Sequence, residues 1–155
     1  MSQDPSCPLC ATDGGIVVVR AAHWRIVLAE DADHPAFTRV VWNEHRAEMS
    51  DLGETARREL LDVVLGVEKV QRTALRPDKI NLASLGNQVP HLHWHVIPRW
   101  RDDRHFPNAV WGAERTVDRE RARARAASVR ARLNDYVVAL QRAFGASPPD
   151  TGRSG

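Results

Sequence analysis

The chain has 155 residues, 43% of them hydrophobic and 27% charged, and a formal net charge of +2; this length and composition fit one globular domain that folds without disulfides or a metal. With Cys7 and Cys10 as the only cysteines there is no disulfide framework, and the small net charge argues against a nucleic-acid partner. No apolar run approaches a membrane span and no signal-peptide pattern opens the chain, so no membrane association is expected and the cytoplasm is the expected address.

The N-terminal stretch "DPSCPLCATDGG" is turn-rich. "IVVVR" and "WRIVLAE", rich in Val and Ile, predict two strands around Ala21-Ala22-His23, and "FTRVVWN" predicts a third. From Glu54 to Leu75 the apolar positions Leu60, Leu61, Val64 and Leu65 recur at helical spacing, which predicts an amphipathic helix ended by Pro77. "KINLASL" returns to period two, and after the short turn "GNQVP" comes "HLHWHVI", closed by Pro98. The short connection pairs these two strands antiparallel. A long helix is predicted from Thr116 to Phe144, with Val129, Leu133, Tyr136, Val137 and Leu140 as its apolar side. The arginines of "ERTVDRERARARAASVRARL" alternate with acids and read as a solvated face. The expected class is α+β: an antiparallel sheet of about five strands, a central helix and a long C-terminal helix. One domain is expected over residues 1–145, and 146–155 are an expected disordered tail.

Three of the seven histidines fall on alternate positions of one predicted strand: His91, His93 and His95. Alternate residues share one face of a strand, so the imidazoles face away from the core that Leu92, Trp94 and Val96 build, toward a cleft or solvent. Neutral imidazoles in this array can hold a metal. They can also act on a phosphate, one as nucleophile and another as acid and anion binder. Cys7-Pro-Leu-Cys10 offers two thiols. A redox CxxC follows a strand and opens a helix, which this position before Gly14-Gly15 does not suggest; a structural zinc would need two histidines besides.

"GNQVPHLHWHVIPR", with "INLASL" and "VVWNEHRAEMSDL" upstream, resembles the histidine triad (HIT) family of nucleotide hydrolases and transferases, and among them the bacterial dinucleoside polyphosphate hydrolases. The similarity runs from about Cys7 to Arg99. It implies a HIT-like fold and a homodimer joined through the Glu54–Leu75 helix and the edge strand carrying "KINLASL", with Leu61, Val64 and Leu65 as an apolar patch. It makes His93 the nucleophile that takes up a nucleotidyl group, held in one tautomer by the carbonyl of His91, while His95 binds phosphate and assists the leaving group. Asn81 would orient the phosphate, Gln88 would contact it chiefly through its backbone N–H, and Asp31, or Asp33 beside it, would hold the ribose. The same resemblance supplies a structural zinc site from Cys7, Cys10, His45 and His91. The other reading is a nucleotide-binding, zinc-stabilised interaction module with little turnover. His23, His34 and His105 receive no role.

Overall fold

Val and Ile, whose branched side chains suit a pleated surface, supply most of a meander of three strands: β1 (Ile16–Arg20), β2 (Trp24–Leu28) and β3 (Thr38–Trp42). The computed structural model describes residues 3–115 and 118–145. A four-residue helix, α1 (Pro8–Ala11), precedes the meander, and α2 (Glu54–Leu75), β4 (Lys79–Ala83), β5 (His93–Arg99), α3 (Arg119–Ala131) and α4 (Leu133–Phe144) follow it. The strands form one sheet in the order β1-β2-β3-β5-β4, with every neighbouring pair antiparallel. This is the expected α+β class, with β5 inserted between β3 and the edge strand β4.

One face of the sheet carries the main core. Leu60, Val63, Val64 and Val67 of α2, with Tyr136 and Leu140 of α4, pack on Ile26, Leu28, Val40, Trp42 and Val96. Within it Gln71 Nε2 donates to Val96 O at 2.9 Å and to the Tyr136 hydroxyl at 3.1 Å, while the Tyr136 and Thr38 hydroxyls share a 2.7 Å bond. A buried amide is tolerated because these bonds replace its water. The helix α2 ends where Arg76 turns left-handed (φ 52°) ahead of Pro77.

Several expectations need correction. The histidine strand begins at His93, because the His91 and Leu92 amides bond to Val89 O and Arg46 O, and it continues through Pro98 to Arg99. The long C-terminal helix is two helices: Arg132 (φ −100°, ψ 2°) bonds back to Val129 O, three residues away, and breaks the ladder. Position 116, the expected helix start, and the expected tail at 146–155 lie outside the described residues. Val64 is 1% exposed and belongs to the core, which leaves Leu61 and Leu65 as the outward apolar pair. Of the two expected outlooks of the histidine face, cleft or solvent, the structure gives the cleft, since the N-terminal segment and the chain after β5 lie over it. Among the described residues no helix is long and apolar enough to cross a membrane.

Candidate active site and metal centre

The second sheet face presents Val27, Val41, His93 and His95, and the segment Cys7–Gly15 lies over it. Arg25 holds that segment down. It is buried in β2, and its guanidinium donates to Leu9 O (2.7 Å), Asp13 O (3.0 Å) and Asn43 Oδ1 (3.1 Å). The turn into β1 requires glycine: at Gly15 (φ 151°) a Cβ would lie 2.2 Å from Leu28 O. Beneath this cover is a cavity of about 840 Å³ whose wall includes Gly14, Glu30, Arg39, Gln88, His93, His95 and Trp111.

His93 faces Val41 across the ladder, and His95 faces Arg39 on one side and Ala83 on the other. His93 Nδ1 lies 2.5 Å from His91 O. A carbonyl only accepts, so Nδ1 carries the proton and Nε2 keeps its lone pair. Burial is the largest influence on His93 and lowers its pKa, against the raising effect of that carbonyl. The His95 ring stands 4.8 Å from His93 and 4.9 Å from Trp111, both edge-on. Its Nδ1 is buried with no hydrogen-bond partner among the described residues. Burial, with His93 and Arg39 adding to it, pushes His95 down to about 3. The wall therefore presents neutral imidazoles beside a half-buried cation, Arg39.

His91 leaves this pair and joins the cysteines. Its Nδ1 is 3.4 Å from Cys7 Sγ and 3.5 Å from Cys10 Sγ, and His45 Nδ1 is 3.4 Å from Cys10 Sγ. The four donor atoms lie within 4.8 Å of one another. A tetrahedral ion with Zn–S of about 2.3 Å and Zn–N of about 2.0 Å separates its ligand atoms by roughly 3.5 Å, so the set fits. His91 is 1% exposed, and its Nε2 lies 2.7 Å from Trp42 O. That contact places the proton on Nε2 and leaves Nδ1 as a ligand, the usual outer support of a metal-binding histidine. Cys7 is the N-cap of the short helix α1, a helix start the sequence reading did not expect, yet both thiols face imidazoles.

The remaining expected residues divide. Gln88 lines the cavity from the β4–β5 turn. Asn81 shares the histidine face through its pairing with Ile97, but its Oδ1 accepts from Arg99 Nη1 (2.8 Å), and it stands outside the cavity wall. Arg99 in turn is clamped by Asp103 (2.7 and 3.0 Å). Asp31 Oδ1 accepts the Asp33 and His34 amides, and Asp33 pairs with Arg104 at 2.8 Å; the acids that line the cavity are Asp13 and Glu30. His34 and His105 meet each other, Nε2 to Nδ1 at 3.0 Å. Sequence reasoning missed Arg25, Glu30, Arg39 and Trp111. A signal existed for Arg25 and Arg39, which are charges inside strands otherwise apolar on both faces. Trp111 lies in a segment with no periodicity to read.

A family model described as the HIT domain matches residues 14–102. Over 113 residues the chain is 27% identical to the AP-4-A phosphorylase of Mycobacterium tuberculosis, a match that spans 69% of this chain and 58% of that protein. Among solved structures, a histidine triad protein from Marinobacter aquaeolei VT8 is similar at a TM-score of 0.67 and 26% identity, over 90% of this chain and 99% of that one. Another, from Bradyrhizobium japonicum, gives 0.66 and 26%, over 84% and 90% of the two chains.

Proposed function

Because the chain belongs to the HIT family, we propose that it is a nucleotide hydrolase or nucleotidyl transferase acting at the α-phosphate of a nucleotide conjugate, such as a dinucleoside polyphosphate. The observation that carries this reading is the His93 tautomer. The contact to His91 O leaves Nε2 unprotonated on a residue that lines the cavity, and a neutral imidazole of that form is a competent nucleophile. The name of the tuberculosis relative supports a dinucleoside polyphosphate as the substrate class.

In the proposed reaction the Nε2 lone pair attacks the α-phosphorus in line, and the bond to the leaving group breaks with its electron pair. As the P–N bond forms the imidazole becomes cationic, and the carbonyl of His91 stabilises it through Nδ1–H. Water, or a phosphate in the phosphorylase variant, then attacks the same phosphorus. The P–N bond breaks, its pair returns to Nε2, and the attacking water gives up a proton. His95 supplies its N–H to a phosphate oxygen. Burial keeps it neutral, so it serves as an acid only once the anionic substrate raises its pKa. Gln88 bounds the phosphate from the β4–β5 turn, Asn81 is the candidate amide that orients it, and Asp31 or Asp33, or Glu30 on the cavity wall, is the candidate acid for the ribose.

Zinc is the proposed metal on Cys7, Cys10, His45 and His91. When bound it supplies a structural tether between the N-terminal segment and the residue whose carbonyl positions His93. The proposed assembly is a homodimer through α2 and the edge strand β4, where Leu61, Leu65 and Leu82 are exposed.

A substrate panel followed by phosphorus NMR tests the activity, with His93→Ala alongside. The variant is expected to lose on the order of 10³-fold or more in rate, with nucleotide affinity kept within about tenfold, or roughly 1.4 kcal/mol. His95→Ala is expected to lose less. A His93→Ala enzyme at wild-type rate overturns the nucleophile. A wild type that binds nucleotides yet turns none over leaves the binding-module reading instead.

A further inference from the structure

The cavity wall carries a cation that this scheme leaves unused. β3 sends Thr38, Val40 and Trp42 toward α2 and α4, and sends Arg39 and Val41 toward the histidines. On that face the ladder partners of Arg39 are Val27 and His95. A guanidinium has five N–H groups and is costly to withdraw from water unless they are used. Arg39 Nη1 donates to Gly14 O at 2.7 Å, while Nε is buried without a partner among the described residues. Its carbon lies 5.5 Å from the Phe37 ring. The nearby acid whose charge reaches it, Asp31, has one carboxylate oxygen already bound to loop amides. Burial lowers the Arg39 pKa, a sign of the desolvation it bears at the cavity wall.

A partly desolvated guanidinium on the cavity wall, with more N–H groups than the one bond to Gly14 O uses, suits a phosphate, which guanidinium groups bind through charge-assisted hydrogen bonds. We propose that Arg39 is a specificity residue that binds a second phosphoryl group, the one joined by an anhydride to the phosphoryl that His93 attacks. The protein then selects substrates with a polyphosphate chain over nucleotides joined to an uncharged leaving group such as an amine. This inference rests on the nucleotide reading given above. It places the second anion beside His95, the side chain directly across the ladder.

The competing role for Arg39 is to pin the Gly14–Gly15 turn through Gly14 O, and calorimetry on the full chain separates the two. The probes are AMP and the non-hydrolysable α,β-methylene-ADP, which differ by one phosphoryl group. Wild type is expected to bind the methylene diphosphate about tenfold tighter than AMP, since each charge-assisted pair contributes on that order. In Arg39→Gln the ratio should fall to near one with AMP binding kept within a few-fold, and Arg39→Lys should lie between. In parallel, the kcat/KM of Arg39→Gln should fall for a dinucleoside polyphosphate and hold for a nucleoside phosphoramidate. An unchanged ratio, or equal losses for both ligands, overturns the inference and leaves the turn-pinning role. If Arg39→Gln melts early, the Lys variant alone decides, because it keeps the charge but not the fork. A wild type that binds neither nucleotide defeats the underlying nucleotide reading, a result distinct from one that binds both equally.

Discussion

At the scale of single residues, His95 shows how the cavity sets chemistry. An imidazole in the unfolded chain titrates near 6.5, whereas burial with His93 and Arg39 alongside pushes His95 in the fold down to about 3. Between those values the unfolded chain binds the extra proton, so stability rises with pH. The contribution is whole above about pH 6.5 and is lost progressively as pH falls toward 3, at up to about 1.4 kcal/mol per pH unit. Thermal unfolding at stepped pH should therefore show wild type weakening faster than His95→Gln below about pH 6.5; parallel curves would rule this out. The alternation His91-x-His93-x-His95 made the array legible, while the division of labour within it was expected from the family resemblance and not from the spacing. Adjacent alternate positions look equivalent until the strand begins, and β5 begins at His93, which frees His91 to turn toward the cysteines. Arg39 and Trp111 escaped notice because their meaning depends on what lies across the sheet from them.

The elements were readable where periodicity alone decides them. The three Val- and Ile-rich strands, α2 from Glu54 to Leu75 and the antiparallel pairing of β4 with β5 sit where the spacing placed them, although β5 starts two residues later than expected and runs on through Pro98. The break at Arg132 was not readable. Ala122, Ala126, Val129, Tyr136 and Leu140 keep helical spacing straight through it, and no glycine or proline marks it. Nor does spacing reveal how near two helices approach. At Gly66, midway along α2, an added Cβ would lie 2.6 Å from the tip of the Phe144 ring at the end of α4. Phe144 also meets Trp24 edge-on at 5.8 Å, so the ring is held from its other side. Gly66→Ala should destabilise by roughly 1–3 kcal/mol through overpacking, although alanine is the better helix former by about 1 kcal/mol. Denaturant titration checks this, and Gly66→Ala with Phe144→Leu should recover much of the loss. A stabilised single variant would mean that α4 yields freely.

For the molecule as a whole, the Cys7–Cys10–His45–His91 set predicts about one zinc per chain by metal mass spectrometry. Chelation should lower the melting temperature by about 5 °C or more, given 2–4 °C per kcal/mol at this size. A metal-free preparation whose melting ignores both zinc and chelator would sink the site. Light scattering should give twice the 17.4 kDa of one chain, and Leu65→Glu with Leu82→Glu should halve that mass. A monomeric, fully active wild type would remove the dimer. The metal set also bears on the order in which the protein assembles. Cys7 and His91 are 84 positions apart, and closing so long a loop costs chain entropy that local pairing does not. The β1–β2–β3 meander forms from near neighbours, whereas the N-terminal segment finds no partner on His91 until the chain beyond β4 has been made. The N-terminal segment is thus tied to the sheet twice, by Arg25 from the nearby strand β2 and, at a separation of 84 residues, at His91; the second closure carries the larger entropy cost, which a bound metal would offset.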